Sequence, residues 1–146
     1  MSLVYLCPER EAAIKQNISW EGIDVGIRML VLRFNQAVGI ATTQSCAGHV
    51  QLLGSDAQSL PAPTTLNTKK DTYEFRIEGA YIAMFVNETR FFQLLTLAPQ
   101  CGIRDISIRY FDDGTFWICL EWEPGKNDPA FEITWILLGE KGSGCA

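Results

Sequence analysis

The chain of 146 residues holds a single histidine, no cysteine pair at Cys-x-x-Cys spacing, and no glycine-rich loop of the dinucleotide or phosphate-binding kinds. These absences argue against a local zinc site. Cys46 and His49 have a chelating spacing, but the remaining ligands would have to come from distant Cys101 or Cys119 or from acids, and no metal is expected. The five cysteines, Cys7, Cys46, Cys101, Cys119 and Cys145, are odd in number and scattered, which suits reduced cytoplasmic thiols better than a disulfide framework. Long apolar runs are missing as well. The longest, Ala80–Val86, is far shorter than the roughly 18 residues that span a bilayer, and no charged-then-apolar signal segment opens the chain. The expectation is a soluble cytoplasmic protein with no membrane partner. Basic residues are in deficit: 12 Lys and Arg against 17 Asp and Glu give a formal charge of −5. The mean field therefore repels phosphate, and nucleic acid is disfavoured as a partner. There is no internal repeat and no low-complexity tract.

What the chain does have is apolar material: 47% hydrophobic residues with eight Phe and four Trp supply one sizeable core. A single α+β domain over residues 1–146 is expected, mainly an antiparallel sheet with helices packed on it. Pro8 opens a first helix that runs through Asn17, since proline is tolerated where the helix has no amide partner to lose. Ser19 offers a cap to a second helix, in which Ile23, Ile27, Leu30, Val31 and Phe34 recur at the spacing of one buried face, with Gly39 at or past its end. The β-branched run Ile40-Ala41-Thr42-Thr43 predicts a strand, and Val50–Leu53 its returning partner. Residues 54–70 carry Ser, Asp, Asn, Gly, two Pro and three Thr without periodicity and read as a long surface loop.

Alternation at Tyr73, Phe75 and Ile77, then Gly79 and the run to Val86, gives either a strand pair or one long bent strand. Asn87 caps a helix whose face is Phe91, Leu94, Leu95 and Ala98, stopped by Pro99 and Gly102. Ile103–Tyr110, the turn Asp112-Asp113-Gly114 and Thr115–Trp122 form a hairpin, and its aromatic residues read mostly as core. The last helix starts near Asp128-Pro129 and packs through Phe131, Trp135 and Leu138, before a frayed tail over 139–146.

Chemistry concentrates at Thr42-Thr43-Gln44-Ser45-Cys46-Ala47-Gly48-His49, where a strand end brings together hydroxyls, a thiol, a turn glycine and the lone imidazole. A glycine two residues after a cysteine lets consecutive amides point into one concavity, a nest for carboxylate or phosphate oxygens. Ser45 adds a hydroxyl, and His49 a charge that switches near neutral pH. Cys46 is reactive only if those amides and a protonated His49 lower its pKa; otherwise it is a small buried residue at a strand end. Cys46 and His49 are the catalytic candidates. Thr43, Ser45, Cys46, Gly48, His49 and Arg104 are the candidate ligand contacts. Asp24, near the start of the second helix, either complements the helix dipole or faces this turn.

The order of elements from Ile23 to Val50, ending in Thr42-Thr43-Gln44-Ser45-Cys46-Ala47-Gly48-His49, resembles the wybutosine-synthesising protein 3 family, which has Thr-Thr-x-Ser-Cys-Ser-Gly-Arg there. A second, partial likeness falls at Cys101-Gly102-Ile103-Arg104-Asp105-Ile106-Ser107-Ile108. His49 stands for the family's arginine and Ala47 for its second serine. The resemblance implies an α+β domain and methyl transfer from S-adenosylmethionine onto a modified guanosine in transfer RNA, with Cys46 and His49 lining the site and Arg104 orienting substrate. The residues alone point to a module that binds a small anionic ligand or a protein partner at the Ser45–His49 turn. A structural homo-oligomer subunit is the third expectation.

Overall fold

A computed structural model describes residues 3–53, 59–60 and 74–140, with residues 49–53, 59–60 and 74–78 described by their backbone alone. The described elements are the helices α1 (Pro8–Gln16), α2 (Val25–Gln36), α3 (Glu88–Gln100) and α4 (Asp128–Leu137) and seven strands. The strands are β1 (Ile40–Cys46), β2 (His49–Leu53), β3 (Ser59–Leu60), β4 (Glu74–Glu78), β5 (Ala80–Val86), β6 (Asp105–Tyr110) and β7 (Phe116–Trp122). The fold is α+β, as expected. A four-stranded antiparallel sheet in the order β1-β5-β7-β6 carries the helices, and β3-β2-β4 form a smaller sheet.

Strand alternation divides the large sheet into two unlike faces. Ile82, Met84, Ile118 and Leu120 point to one face and meet Ile27, Leu30 and Phe34 of α2, Leu94 of α3 and Ile133 of α4 in the main core. On the opposite face Ala41 and Phe85 join Leu6, with Ile14 of α1 and Trp117 against them, so α1 covers only part of that side. Polar ties fix the helices. The Arg90 guanidinium donates to the carbonyls of Val38 at 2.8 Å and Leu137 at 3.2 Å, and Arg33 donates to the Thr134 hydroxyl at 2.9 Å.

The expected return of Val50–Leu53 onto β1 is corrected. β1 pairs with β5, from Ile40↔Val86 to Cys46↔Tyr81, and β2 pairs with β4, from His49↔Glu78 to Leu53↔Glu74. The two segments thus form one long antiparallel ribbon that bends at Ala47-Gly48 on one strand and Gly79 on the other. A tight β1–β2 hairpin would forgo the pairing of β1 with β5, whose residues are almost all buried. Gly48 takes φ 91, which redirects the strand without reversing it. At Gly79 an added Cβ would lie 2.9 Å from the Trp122 carbonyl oxygen, so only glycine lets the ribbon pass the end of β7.

Other boundaries shift for local reasons. Ser19 makes no side-chain cap; it precedes a single 3-10 turn, Trp20–Gly22, and Ile23 is extended at φ −90, ψ 133. α2 begins only at Val25, with Asp24 at its N-cap position. The buried stripe of α4 is Ala130, Ile133, Thr134 and Leu137, with Phe131 and Leu138 at its flank and Trp135 half-exposed. Asn87 does cap α3, its side-chain oxygen accepting the Arg90 amide at 2.8 Å. The β6–β7 hairpin forms with Asp105 opposite Glu121 and Tyr110 opposite Phe116. Of the expected loop over 54–70, all but Ser59-Leu60 lies outside the described residues, as do 141–146 of the expected tail. Glu140, at the start of that tail, is held: its amide donates to the Trp135 carbonyl at 2.8 Å and its carboxylate accepts from Arg33 at 2.8 Å. Among the described residues, no helix is long and apolar enough to cross a membrane.

Candidate functional site

The bend after β1 is closed by the protein's own groups. The Ala47 amide donates to the Asp24 carboxylate at 3.0 Å, and the Gly48 amide to the Cys46 sulfur at 3.4 Å. Asp24 therefore faces the turn rather than only the helix dipole, and the first two amides of the expected anion nest are engaged internally. One of the two is taken by a carboxylate at the N-cap of α2 and the other by the Cys46 thiol at the end of β1. The backbone of His49 opens β2; its side chain lies outside the described residues. Among the described residues, no three His, Cys, Asp or Glu converge to hold a metal ion.

Along the outer edge of β1 runs a cleft of about 740 Å³, walled by Thr42, Thr43, Gln44 and Ser45 on the strand and by Ile14, Asn17, Ile18 and Ile23 across from it. Its walls are held by ties that sequence does not advertise. The Glu11 carboxylate of α1 accepts the Gly39 amide at 3.0 Å and the Lys15 ammonium at 2.6 Å, and that ammonium donates to the Ala37 carbonyl at 3.0 Å. On the strand, the Asn35 side chain accepts the Thr42 amide at 3.1 Å and donates to the Thr42 hydroxyl at 2.7 Å. A bulge at Thr43 turns this residue out of register, and its hydroxyl donates to the Ala83 carbonyl at 3.2 Å.

A second cleft, of about 560 Å³, lies over the sheet face that α1 leaves open. Register builds it in rows. Cys46, Tyr81, Glu121 and Asp105 are successive partners across the four strands, and Gln44, Ala83, Cys119 and Ser107 form the next row. Beyond them Arg109 faces Trp117, its guanidinium carbon 5.9 Å from the ring centroid. Arg104 lines the cleft just before β6. Asp105 and Glu121 are exposed carboxylates set directly opposite one another, an arrangement that costs stability unless a cation or hydrogen-bond donor lies between them. Burial pushes the Cys119 thiol above its ordinary range, and the Glu121 carboxylate adds to the rise while Arg109 and Ser107 oppose it. That thiol stays protonated at neutral pH and is a poor nucleophile.

Gln44 and Tyr81 line both clefts, so the two meet at the end of β1. Of the sequence candidates, Thr43 and Ser45 line the first and Arg104 the second, whereas Cys46 and Gly48 are not among the residues lining either. Sequence reasoning passed over Tyr81, Ser107, Arg109, Trp117 and Glu121. The signal was in the hairpin, where Asp105, Ser107 and Arg109 alternate with Ile106 and Ile108. One strand face there is too polar to be core, and Trp117 belongs to it rather than to the core face.

The site therefore belongs to an α+β domain with one sheet face buried under helices and the other only partly covered by α1. No family model matches the chain, and no curated protein does. Solved structures do share its fold. The PH1069 protein of Pyrococcus horikoshii is 16% identical over 88% of this chain and 81% of its own, with a TM-score of 0.56. A second structure of that protein gives 13%, 94%, 87% and 0.57. A hypothetical protein of Aeropyrum pernix is 17% identical over 80% of this chain and 89% of its own, with a TM-score of 0.54. At such identities the likeness speaks for the fold alone.

Proposed function

We propose that this domain binds a small anion that carries a planar ring, of the nucleotide class, in the cleft on the open sheet face beside the Cys46 bend. The pairing of Arg109 with Trp117 is the observation that carries this reading. A half-buried indole offers a stacking surface, and the exposed guanidinium above it offers charge to a phosphate or carboxylate. Arg104 adds a second cation, while Asp105 and Glu121 accept from the hydroxyl or amino groups of such a molecule. A local site of this kind is compatible with the net charge of −5, which disfavours long polyanions. Adenosine and guanosine monophosphates test it by thermal shift. A ligand at about 100 times its Kd adds about 2.7 kcal/mol, roughly 5–10 °C in a domain of this size. Arg109→Ala and Trp117→Ala are expected to abolish the shift. No shift with either nucleotide at saturating concentration would refute the reading.

A second reading is methyl transfer to a nucleoside, in the manner of the wybutosine-synthesising resemblance. The junction of two clefts at Gln44 and Tyr81 favours it, because donor and acceptor must meet. The open-face residues fit S-adenosylmethionine, which supplies an activated methyl group when bound: Trp117 and Tyr81 for its adenine, Arg104 for its carboxylate, and Asp105 and Glu121 for its ribose hydroxyls or ammonium. Gln44 and Tyr81 would orient the acceptor by hydrogen bonds. Titration calorimetry with S-adenosylmethionine decides this reading; absence of heat at millimolar ligand removes it.

A further inference from the structure

We propose that the cleft along the β1 edge is a site for an uncharged small molecule, namely a ring bearing an amide. Its volume of about 740 Å³ lies within the range of ligand pockets. Among the described residues that line it there is no Asp, Glu, Lys, Arg or His. Charges tied close to its walls have other work: Glu11 and Lys15 hold each other and the turn before β1, Asp24 holds the Ala47 amide, and Arg28 donates to the Ile23 carbonyl at 2.9 Å. A charged group entering this cleft would give up part of its hydration with no opposite charge among the described lining residues to replace it. A neutral group avoids that loss.

The lining matches an amide in particular. Ile14, Ile18 and Ile23 offer aliphatic surface to the face of a ring. The Asn17 amide nitrogen donates to the Ala13 carbonyl at 2.7 Å, and the Thr43 hydroxyl donates to the Ala83 carbonyl, so both keep acceptor oxygens for an incoming N–H. Gln44 and Ser45 provide donors for a carbonyl. A peptide strand added to β1 is a poorer occupant. Asn35 takes the Thr42 amide, Asp24 takes the Ala47 amide, and the bulge at Thr43 breaks the spacing that strand addition needs.

Three probes with one ring and different charge test the proposal: benzamide, benzoate and benzylamine, each titrated into the full chain and followed by amide NMR. Benzamide is expected to move the Asn17, Thr43 and Ser45 resonances, with benzoate and benzylammonium at least about tenfold weaker there. Asn17→Asp, an exposed and nearly isosteric change, is expected to weaken benzamide at least about fivefold and to admit benzylammonium. Equal shifts from all three probes, or none from benzamide, would overturn the proposal. Failure of the open-face reading shows elsewhere, as an absence of nucleotide and benzoate shifts at Arg109 and Trp117, and leaves this outcome untouched.

Discussion

Single side chains decide how firmly the clefts are walled. Glu11 is mostly buried and joins the amide before β1 to the Lys15 ammonium, and hydrogen bonds to charged groups are worth about 1.5–3 kcal/mol. Glu11→Ala is expected to lower the unfolding free energy by about that amount, read as a lower urea midpoint at unchanged slope, and to raise amide exchange along α1. Gly39 has φ +88, and an added Cβ would collide with the Asn87 side chain that caps α3. Gly39→Ala therefore combines left-handed strain with a disturbed cap, about 2–3 kcal/mol together. Asp113 gives a pH signature. Its carboxylate accepts the Thr115 amide at 2.8 Å, which holds it below its ordinary value of 3.8. The folded state thus binds this proton less readily than the unfolded one, so the contribution is complete above the unfolded pKa and is lost as pH falls through the folded one. Chemical denaturation from neutral pH downward should show a loss at the acid end that Asp113→Asn removes.

Among the elements, the bent ribbon matters most, because it pairs the end of β1 with Tyr81 of β5, where the two clefts meet. Asp24 links the start of α2 to the bend through the Ala47 amide. Asp24→Ala is expected to speed hydrogen exchange at Ala47 while leaving the Ile27–Phe34 core of α2 protected; unchanged exchange at Ala47 would show that the bend holds without this bond. The hairpin β6–β7 owes its two faces to alternation, and its pattern was readable: Ile106, Ile108, Ile118 and Leu120 mark the inner face. The helices were readable for the same reason, since Ile27, Leu30, Val31 and Phe34, and Phe91, Leu94 and Ala98, repeat with the helical period. Strand partners were not. Nothing local in Val50–Leu53 says whether it returns on β1 or runs on to meet β4, because pairing is settled by which distant strand buries more.

For the molecule as a unit, the thiols should report the layering. Cys7 is exposed, whereas Cys119 sits half-buried on the open face with its pKa raised. Iodoacetamide at about pH 8 is expected to label Cys7 ahead of Cys119, read by mass spectrometry, and ligand in the open-face cleft should slow Cys119 further. Equal labelling would mean that Cys119 is more open than its surroundings imply.

Local chemistry along the chain was enough to place helices, the hairpin turn at Gly114, the Asn87 cap and the concentration of polar groups after Ile40, since each depends on neighbours within a few residues. It also named Thr43, Ser45 and Arg104, which line the two clefts. Assembly of the clefts lay beyond it. Tyr81, Arg109, Trp117 and Glu121 become one surface only when β5, β6 and β7 take their register. The Ala47 and Gly48 amides looked open to an anion, but Asp24 at the start of α2 takes the first and the Cys46 sulfur the second. Contacts between residues far apart in the chain depend on the summed burial of the whole core, and no short stretch of sequence carries that sum.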